Sequence, residues 1–321
     1  MNSELVAWLL DTDPALKWQV QRDLLGDPEW EATRARTATE GFGAALLAKQ
    51  DADGQWDGGA YFPGGFDFDG PEAQPGTGQP YTATTWTLNA LRDWGVPAAA
   101  LGDTAQKLAL NSRWEYEDLP YWGGEVDACI NGFTLANGAW LGVDVEVIAQ
   151  WFVDHQMDEG GWNCEWVNGS TRASFDSTLN ALRGIIYYEL AGKGTPELKA
   201  ARKRAEEFLL QRNLLFKKSD GSLADPTFHR VAYPLRWFYG ALNVLDYFRM
   251  ASYVDGDNRD PRMQAAIDSV LAQRTEEGRW LQGRRHPGRV WFEVDVDAGE
   301  PSPWLTMYAM RVLNWWNAPR P

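Results

Sequence analysis

Cysteine, histidine and basic charge are scarce in this chain, and each scarcity removes a class of function. Two cysteines in 321 residues, Cys129 and Cys164, cannot build a disulfide framework and fit a reducing compartment. The three histidines, His155, His229 and His286, show no H-x-x-x-H spacing, so a helix-borne histidine metal pair is not expected. His229, in PTFHRVAYPLRW ahead of an apolar segment, is the best placed of them. Lys and Arg number 30 against 45 Asp and Glu, and the net charge of −15 repels phosphate backbones and anionic lipid surfaces. Nucleic acid is therefore not an expected partner. No apolar run approaches the roughly 20 residues of a membrane span, and the start, MNSELVAWLLDTDPALKW, lacks the basic region of a signal peptide. The expectation is a soluble, cytoplasmic protein. There is no G-x-x-x-x-G-K-[ST] loop, and GGAYFPGG lacks a strand–helix context, so no nucleotide cofactor is implied.

Tryptophan is abundant. Its 18 copies, with 13 Phe and 11 Tyr, exceed what packing alone requires, because aliphatic side chains fill a core with fewer geometric demands. An aromatic-lined cavity beside a Trp-rich core is the expectation.

A motif recurs. QDADGQW from Gln50 and QMDEGGW from Gln156 both read Q-x-x-x-G-x-W, QRTEEGRW from Gln273 carries one extra residue, and QRNLLFKKSDGSL from Gln211 is a decayed copy. Repeats at such spacing indicate units that bury their apolar faces on one another. Each copy follows a helix-like segment: residues 38–49, 145–155, 196–212 and 261–274. Each precedes a more apolar one, rich in small residues: TATTWTLNALRDW from Thr82, SFDSTLNALRGIIYYEL from Ser174, YPLRWFYGALNVLDYF from Tyr233 and SPWLTMYAMRVLNWW from Ser302. With DACINGFTLANGAWLG from Asp127 and PALKWQVQRDLL from Pro14 the apolar segments number six. Residues 3–10 and 102–111 complete six polar-faced partners. The pattern predicts an all-α, single-domain chain over residues 1–321, a double barrel of six inner and six outer helices. In it the motif Gln satisfies backbone groups at an outer-helix end, and Trp56, Trp162 and Trp280 cover the turn into the next unit.

These residues resemble the QW repeats of squalene–hopene cyclases and related terpenoid cyclases, whose (α/α)6 toroid is shared with the β subunits of protein prenyltransferases. The resemblance spans nearly the whole chain and implies an enzyme that holds an apolar, isoprenoid substrate in a central aromatic cavity. The D-x-D-D acid motif of such cyclases is not present as written. From the prenyltransferase side the resemblance implies zinc: Asp127 and Cys129 match its Asp-x-Cys pair, and Asp176 stands where its His ligand falls.

In such a ring the inner-helix starts converge on one mouth. Asp127, Cys129, Asp176, Arg236, Trp237 and Trp304 lie at or near those starts. Asp127 and Asp176 are the first candidate acids, Asp295 and Asp297 in WFEVDVDAGEPSPW the second. Asp127 also suits a helix cap, and Cys129 an inert buried residue. Trp86, Trp237, Trp304 and Arg236 are candidate pocket walls. The run GRRHPGR offers Arg284, Arg285 and Arg289 to a diphosphate, since guanidinium forks match phosphate oxygens. Two functions stay open: acid- or metal-assisted cyclisation or transfer, and a non-catalytic toroid that binds a hydrophobic ligand or a protein partner. Paired carboxylates beside Trp platforms also suit carbohydrate chemistry.

Overall fold

The computed structural model describes residues 3–320, in which the only strands are the two-residue pair Trp280–Leu281 and Pro301–Ser302. The chain is all-α. Its polar-faced helices are α1 (Ser3–Leu10), α4 (Gly41–Leu47), α6 (Thr104–Asn111), α8 (Glu146–Asp154), α10 (Pro196–Leu210) and α12 (Gln264–Leu271). They alternate with α2 (Pro14–Val20), α5 (Thr84–Asp93), α7 (Ala128–Leu141), α9 (Phe175–Leu190), α11 (Ala241–Asp255) and α13 (Pro303–Asn317). The sequence pattern did not anticipate α3 (Trp30–Arg36), nor the π-helical turn Gln21–Leu25 that prolongs α2. Among the described residues no helix is long and apolar enough to cross a membrane.

Local chemistry sets the helix starts. Asp13, Thr195 and Ser302 each precede a proline at the first helical position and accept a backbone N–H from Ala15, Leu198 and Leu305, respectively. One expected helix begins late. Residues 233–240, in YPLRWFYG, form a loop, and α11 starts only at Ala241. Pro234 lacks an N–H and disfavours helix in the residue before it, while Arg236 sits in the left-handed region with φ 46°. Arg236 and Trp237 therefore project from a loop and do not open a helix.

The Q-x-x-x-G-x-W copies share one wiring scheme. The indole N–H of Trp56, Trp162 and Trp280 donates to the carbonyl of Leu46, Phe152 and Val270, at 2.8, 3.0 and 2.7 Å, in the preceding polar-faced helix. Their backbone N–H groups donate to Thr84, Thr178 and Thr306 Oγ1 in the first turn of the following apolar helix, at 3.1, 3.1 and 3.0 Å. All three rings are buried. Each motif Gly takes a positive φ, 93° at Gly54, 95° at Gly160 and 83° at Gly278, which a side chain would strain. Gln50 and Gln156 donate to the carbonyls of Gly54 and Gly160 and reach on to Thr104 and Ala201 of the next polar-faced helix. Gln273, with its extra residue, donates instead to the His229 and Ser269 carbonyls.

Along the apolar set, α5 packs on α7, α7 on α9, α9 on α11, α11 on α13 and α13 on α2. The Trp18 indole donates to the Trp94 carbonyl at 2.8 Å and Gln19 to the Asp93 carbonyl at 3.2 Å, which ties α2 to the end of α5. The tightest crossing is α7 on α9. There a Cβ on Gly184 would lie 2.4 Å from the Gly132 carbonyl oxygen, and one on Gly132 2.4 Å from that of Asn180.

Gly184→Ala is expected to destabilise the protein by about 1–3 kcal/mol, because backbone cannot yield as a side chain can. Gly123→Ala, where the nearest atom to a new Cβ is 3.8 Å away, should stay within about 0.5 kcal/mol. Urea denaturation of both variants is the check; equal midpoints would contradict the close crossing.

Candidate functional site

The first turns of α7 and α9, with the loops ahead of them, enclose a pocket of ≈ 560 Å³, within the usual range for small-molecule sites. Asp127, Cys129, Asp176 and Trp237 all line it. Four residues chosen from sequence positions up to 110 apart thus meet in one place.

Asp127 occupies the N-cap position of α7, yet its side chain makes no cap bond. Its carboxylate faces the pocket half-buried, and burial together with the Glu165 charge pushes it up to about 6. Two residues earlier stands Glu125, whose Oε2 accepts the Asp127 N–H at 2.5 Å. Burial raises Glu125 to about 7, and the Asp127 and Glu115 charges add to that effect against the lowering hydrogen bond. Asp176, in the first turn of α9, is also raised by burial. Its Oδ1 accepts the Tyr239 N–H at 2.7 Å, while Asn180 Nδ2 donates to the Trp237 carbonyl at 2.7 Å. These two bonds hold the 237–239 loop over the pocket.

The two cysteines meet here. The Cys129 N–H points at Cys164 Sγ at 3.5 Å, and Ser177 Oγ donates to the same sulfur at 3.4 Å. A thiol–thiol hydrogen bond raises Cys129, with burial adding, and lowers Cys164 against its own burial. Zinc does not fit these residues. Cys129 Sγ accepts from Asn180 Nδ2 at 3.6 Å, and one Asp176 oxygen accepts the Tyr239 N–H. Among the described residues no group of three or more His, Cys, Asp or Glu side chains could hold a metal ion.

Aromatic rings complete the wall: Tyr61, Phe62, Phe68, Tyr116 and Trp237. A single oxygen, Glu115 Oε1, accepts the N–H groups of Ala60, Tyr61 and Phe62 at 3.2, 2.9 and 3.0 Å and so fixes the aromatic loop. Sequence reasoning missed Glu115, Glu125, Phe62 and Phe68. The dense aromatics of AYFPGGFDF, and an acid two residues before Asp127, were the available signals.

Other sequence candidates lie elsewhere. Trp86 and Arg236 line a separate cavity of only ≈ 80 Å³, too small for a ligand, with Tyr81, Phe133 and Tyr233. The Arg236 guanidinium lies 4.0 Å from the Tyr81 ring centre without an ion pair among the described residues, and burial pushes it down to about 10. Trp304 stacks on Tyr233 at 4.4 Å and donates to the Val294 carbonyl, so it is scaffold. Asp295 does not line the acidic pocket; it accepts from Gln282 Nε2 at 2.9 Å and Ser302 Oγ at 2.6 Å, and burial raises it to about 6. Asp297 is exposed on the following turn. Arg285 donates to the carbonyls of Asp295 and Val296 and pairs with Glu293, and Arg289 pairs with Asp57 and Glu72. Arg285 is thus tied within its own loop and Arg289 to the 57–72 segment, while Arg284 lies 5.0 Å from the Phe238 ring. His229 Nδ1 meets Ser269 Oγ at 2.7 Å and His155 stacks on Trp151, both structural. His286 stacks on Phe238 at 3.9 Å, and burial beside Arg284 and Arg236 lowers it to about 3.

Compared with known proteins, the chain matches no family model and no curated protein.

Two outcomes follow from the pocket chemistry. The folded protein keeps the Glu125 proton up to about pH 7, whereas a free glutamate releases it near 4.5. Across that window the native state binds more protons, so this group makes stability fall as pH rises. Glu125→Gln should therefore lessen the loss of stability between pH 5 and pH 8, as read by denaturant melts; an unchanged difference would refute the raised carboxyl. Iodoacetamide should alkylate Cys164 before Cys129, and peptide mass spectrometry at short times would reveal the opposite order.

Proposed function

We propose that the six helix pairs close into an (α/α)6 toroid akin to that of terpenoid cyclases, and that the acidic aromatic pocket takes an apolar, isoprenoid chain for acid-initiated chemistry. The observation that carries this reading is Asp127, an N-cap residue that does not cap and whose half-buried carboxyl faces the pocket close to neutrality. Protonating an alkene needs a carboxylic acid that burial keeps protonated, and then ring faces that stabilise the cation and exclude water. Asp127 supplies the proton to an alkene carbon, whose π electrons form the new C–H bond and leave the cation on the neighbouring carbon. Trp237, Tyr61 and Phe62 line the pocket where that cation forms. Loss of a proton from a carbon beside the cation back to the Asp127 carboxylate then forms an alkene and restores the acid, while Glu125, raised to about 7, stays protonated beside it. No step passes through a metal.

A binding-only role is the second reading. It is favoured by the small size, ≈ 80 Å³, of the cavity that residues 233–236 and the 290–294 segment line together with α5.

Incubation of the protein with farnesol and geranylgeraniol in deuterated water separates the two. Under the first reading deuterium enters a recovered alkene, and Asp127→Asn lowers that rate by about 10²–10⁴-fold while farnesol affinity stays within about threefold. Binding without deuterium uptake would establish the second. Failure of every chain to bind would remove both.

A further inference from the structure

A second pocket, ≈ 390 Å³ and sharing no residue with the acidic one, is lined by Arg22, Arg34, Arg92, Arg183, Arg249 and Arg311. In a chain of net charge −15 with 30 basic residues, composition does not produce such a gathering. Five of these arginines occupy one repeat position. Arg92, Arg183, Arg249 and Arg311 are the ninth residues of α5, α9, α11 and α13, and Arg22 is the ninth from Pro14, which opens α2. At 1.5 Å per residue they stand at one level, roughly 12 Å along their helices. In α9, α11 and α13 the helix continues for more than a turn beyond the arginine. Compensation of helix C-termini, which acts within the last turn, does not explain them.

The carboxylates of the layer are outnumbered. Asp93 bridges Arg92 and Arg183 at 3.0 and 3.3 Å, Asp246 bridges Arg249 and Arg311 at 2.8 and 2.6 Å, and Asp23 bridges Arg22 and Arg311 at 2.6 and 3.3 Å. Arg34 arrives from α3, donates Nε to the Gly95 carbonyl at 2.9 Å and has no ion pair among the described residues; the Glu31 charge offsets it in part. Six guanidinium groups thus face three carboxylates. The flanking arginines hold Asp246 well below the usual carboxylate range, so it stays ionised at any working pH. Burial and the like charge of Arg22 both push Arg34 down, a repulsion that a bound anion would relieve. Trp18, Trp140, Tyr187 and Tyr253 give the same pocket aromatic walls.

We propose that this arginine layer binds a multiply charged oxyanion, a phosphate or diphosphate group carried by a small molecule whose apolar part lies against Trp18 and Trp140. Guanidinium forks match phosphate oxygens in pairs, and an excess of three positive charges suits an anion of two to three negative charges. The inference is independent of the reading of the acidic pocket.

Calorimetric titration and thermal melts of the full chain with pyrophosphate and inorganic phosphate, against sodium chloride of equal ionic strength, test it. Pyrophosphate should bind saturably and raise Tm where sodium chloride does not. Arg34→Gln combined with Arg183→Gln leaves each aspartate an arginine partner and should weaken binding about tenfold or more. Arg172→Gln, at a side chain outside this pocket, should bind as the parent does. Should the double variant fail to fold, Arg34→Gln alone is read, with a several-fold loss expected. Equal effects of pyrophosphate and sodium chloride, or undiminished affinity in the variant that folds, would overturn the assignment.

Discussion

The buried indole N–H bonded to a carbonyl ten residues back is the contact on which the rest of this structure depends. In each of three units it closes a loop from the last turn of a polar-faced helix to the start of an apolar one, and the same residue's backbone N–H seizes a threonine on that apolar helix. A ring this large, fully buried, would be costly with an unpaired donor. Because the donor is satisfied in one geometry only, each tryptophan fixes both the spacing and the rotation of the helix that follows.

Fixed apolar helices in turn give the acidic pocket its chemistry. The first turns of α7 and α9 carry Asp127, Cys129 and Asp176, and the glycine crossing of Gly132 on Gly184 sets how closely those turns approach. The aromatic loop across from them is held by a single Glu115 oxygen that takes three backbone donors. Glu115, Glu125 and Asp176 thus hold backbone N–H groups around the cavity, whereas the Asp127 side chain makes no cap bond.

The helical fold was legible because its signals are local and repeated. Twelve segments, the Q-x-x-x-G-x-W copies and the S/T/D-Pro starts all follow from spacing. The exception, residues 233–240, carried its own warning in Pro234 and Gly240, but apolar periodicity through YPLRWFYG masked it. The site was legible in part. Asp127, Cys129, Asp176 and Trp237 were selected for their place at inner-helix starts and do meet. Trp304 and Asp295 were selected by the same rule and fill other positions, because a helix start reveals height along the axis but not which way a side chain turns. The arginine layer went unread although QVQRDLL, TLNALRDW, TLNALRG, LDYFRM and YAMRVLN each display an arginine at one depth. The charge of a repeat position is visible only once its units are aligned on their helix starts.

Glu125 and Asp127 have a consequence for any ligand that enters beside them. With carboxyl groups near 7 and 6, the empty pocket holds a fractional complement of protons at neutral pH. A guest that displaces water deepens their burial and draws protons in; a cationic one drives them out. The heat of occupancy will then carry the ionisation enthalpy of whatever buffer supplies or receives those protons, and the same guest measured in phosphate and in Tris will report two different enthalpies.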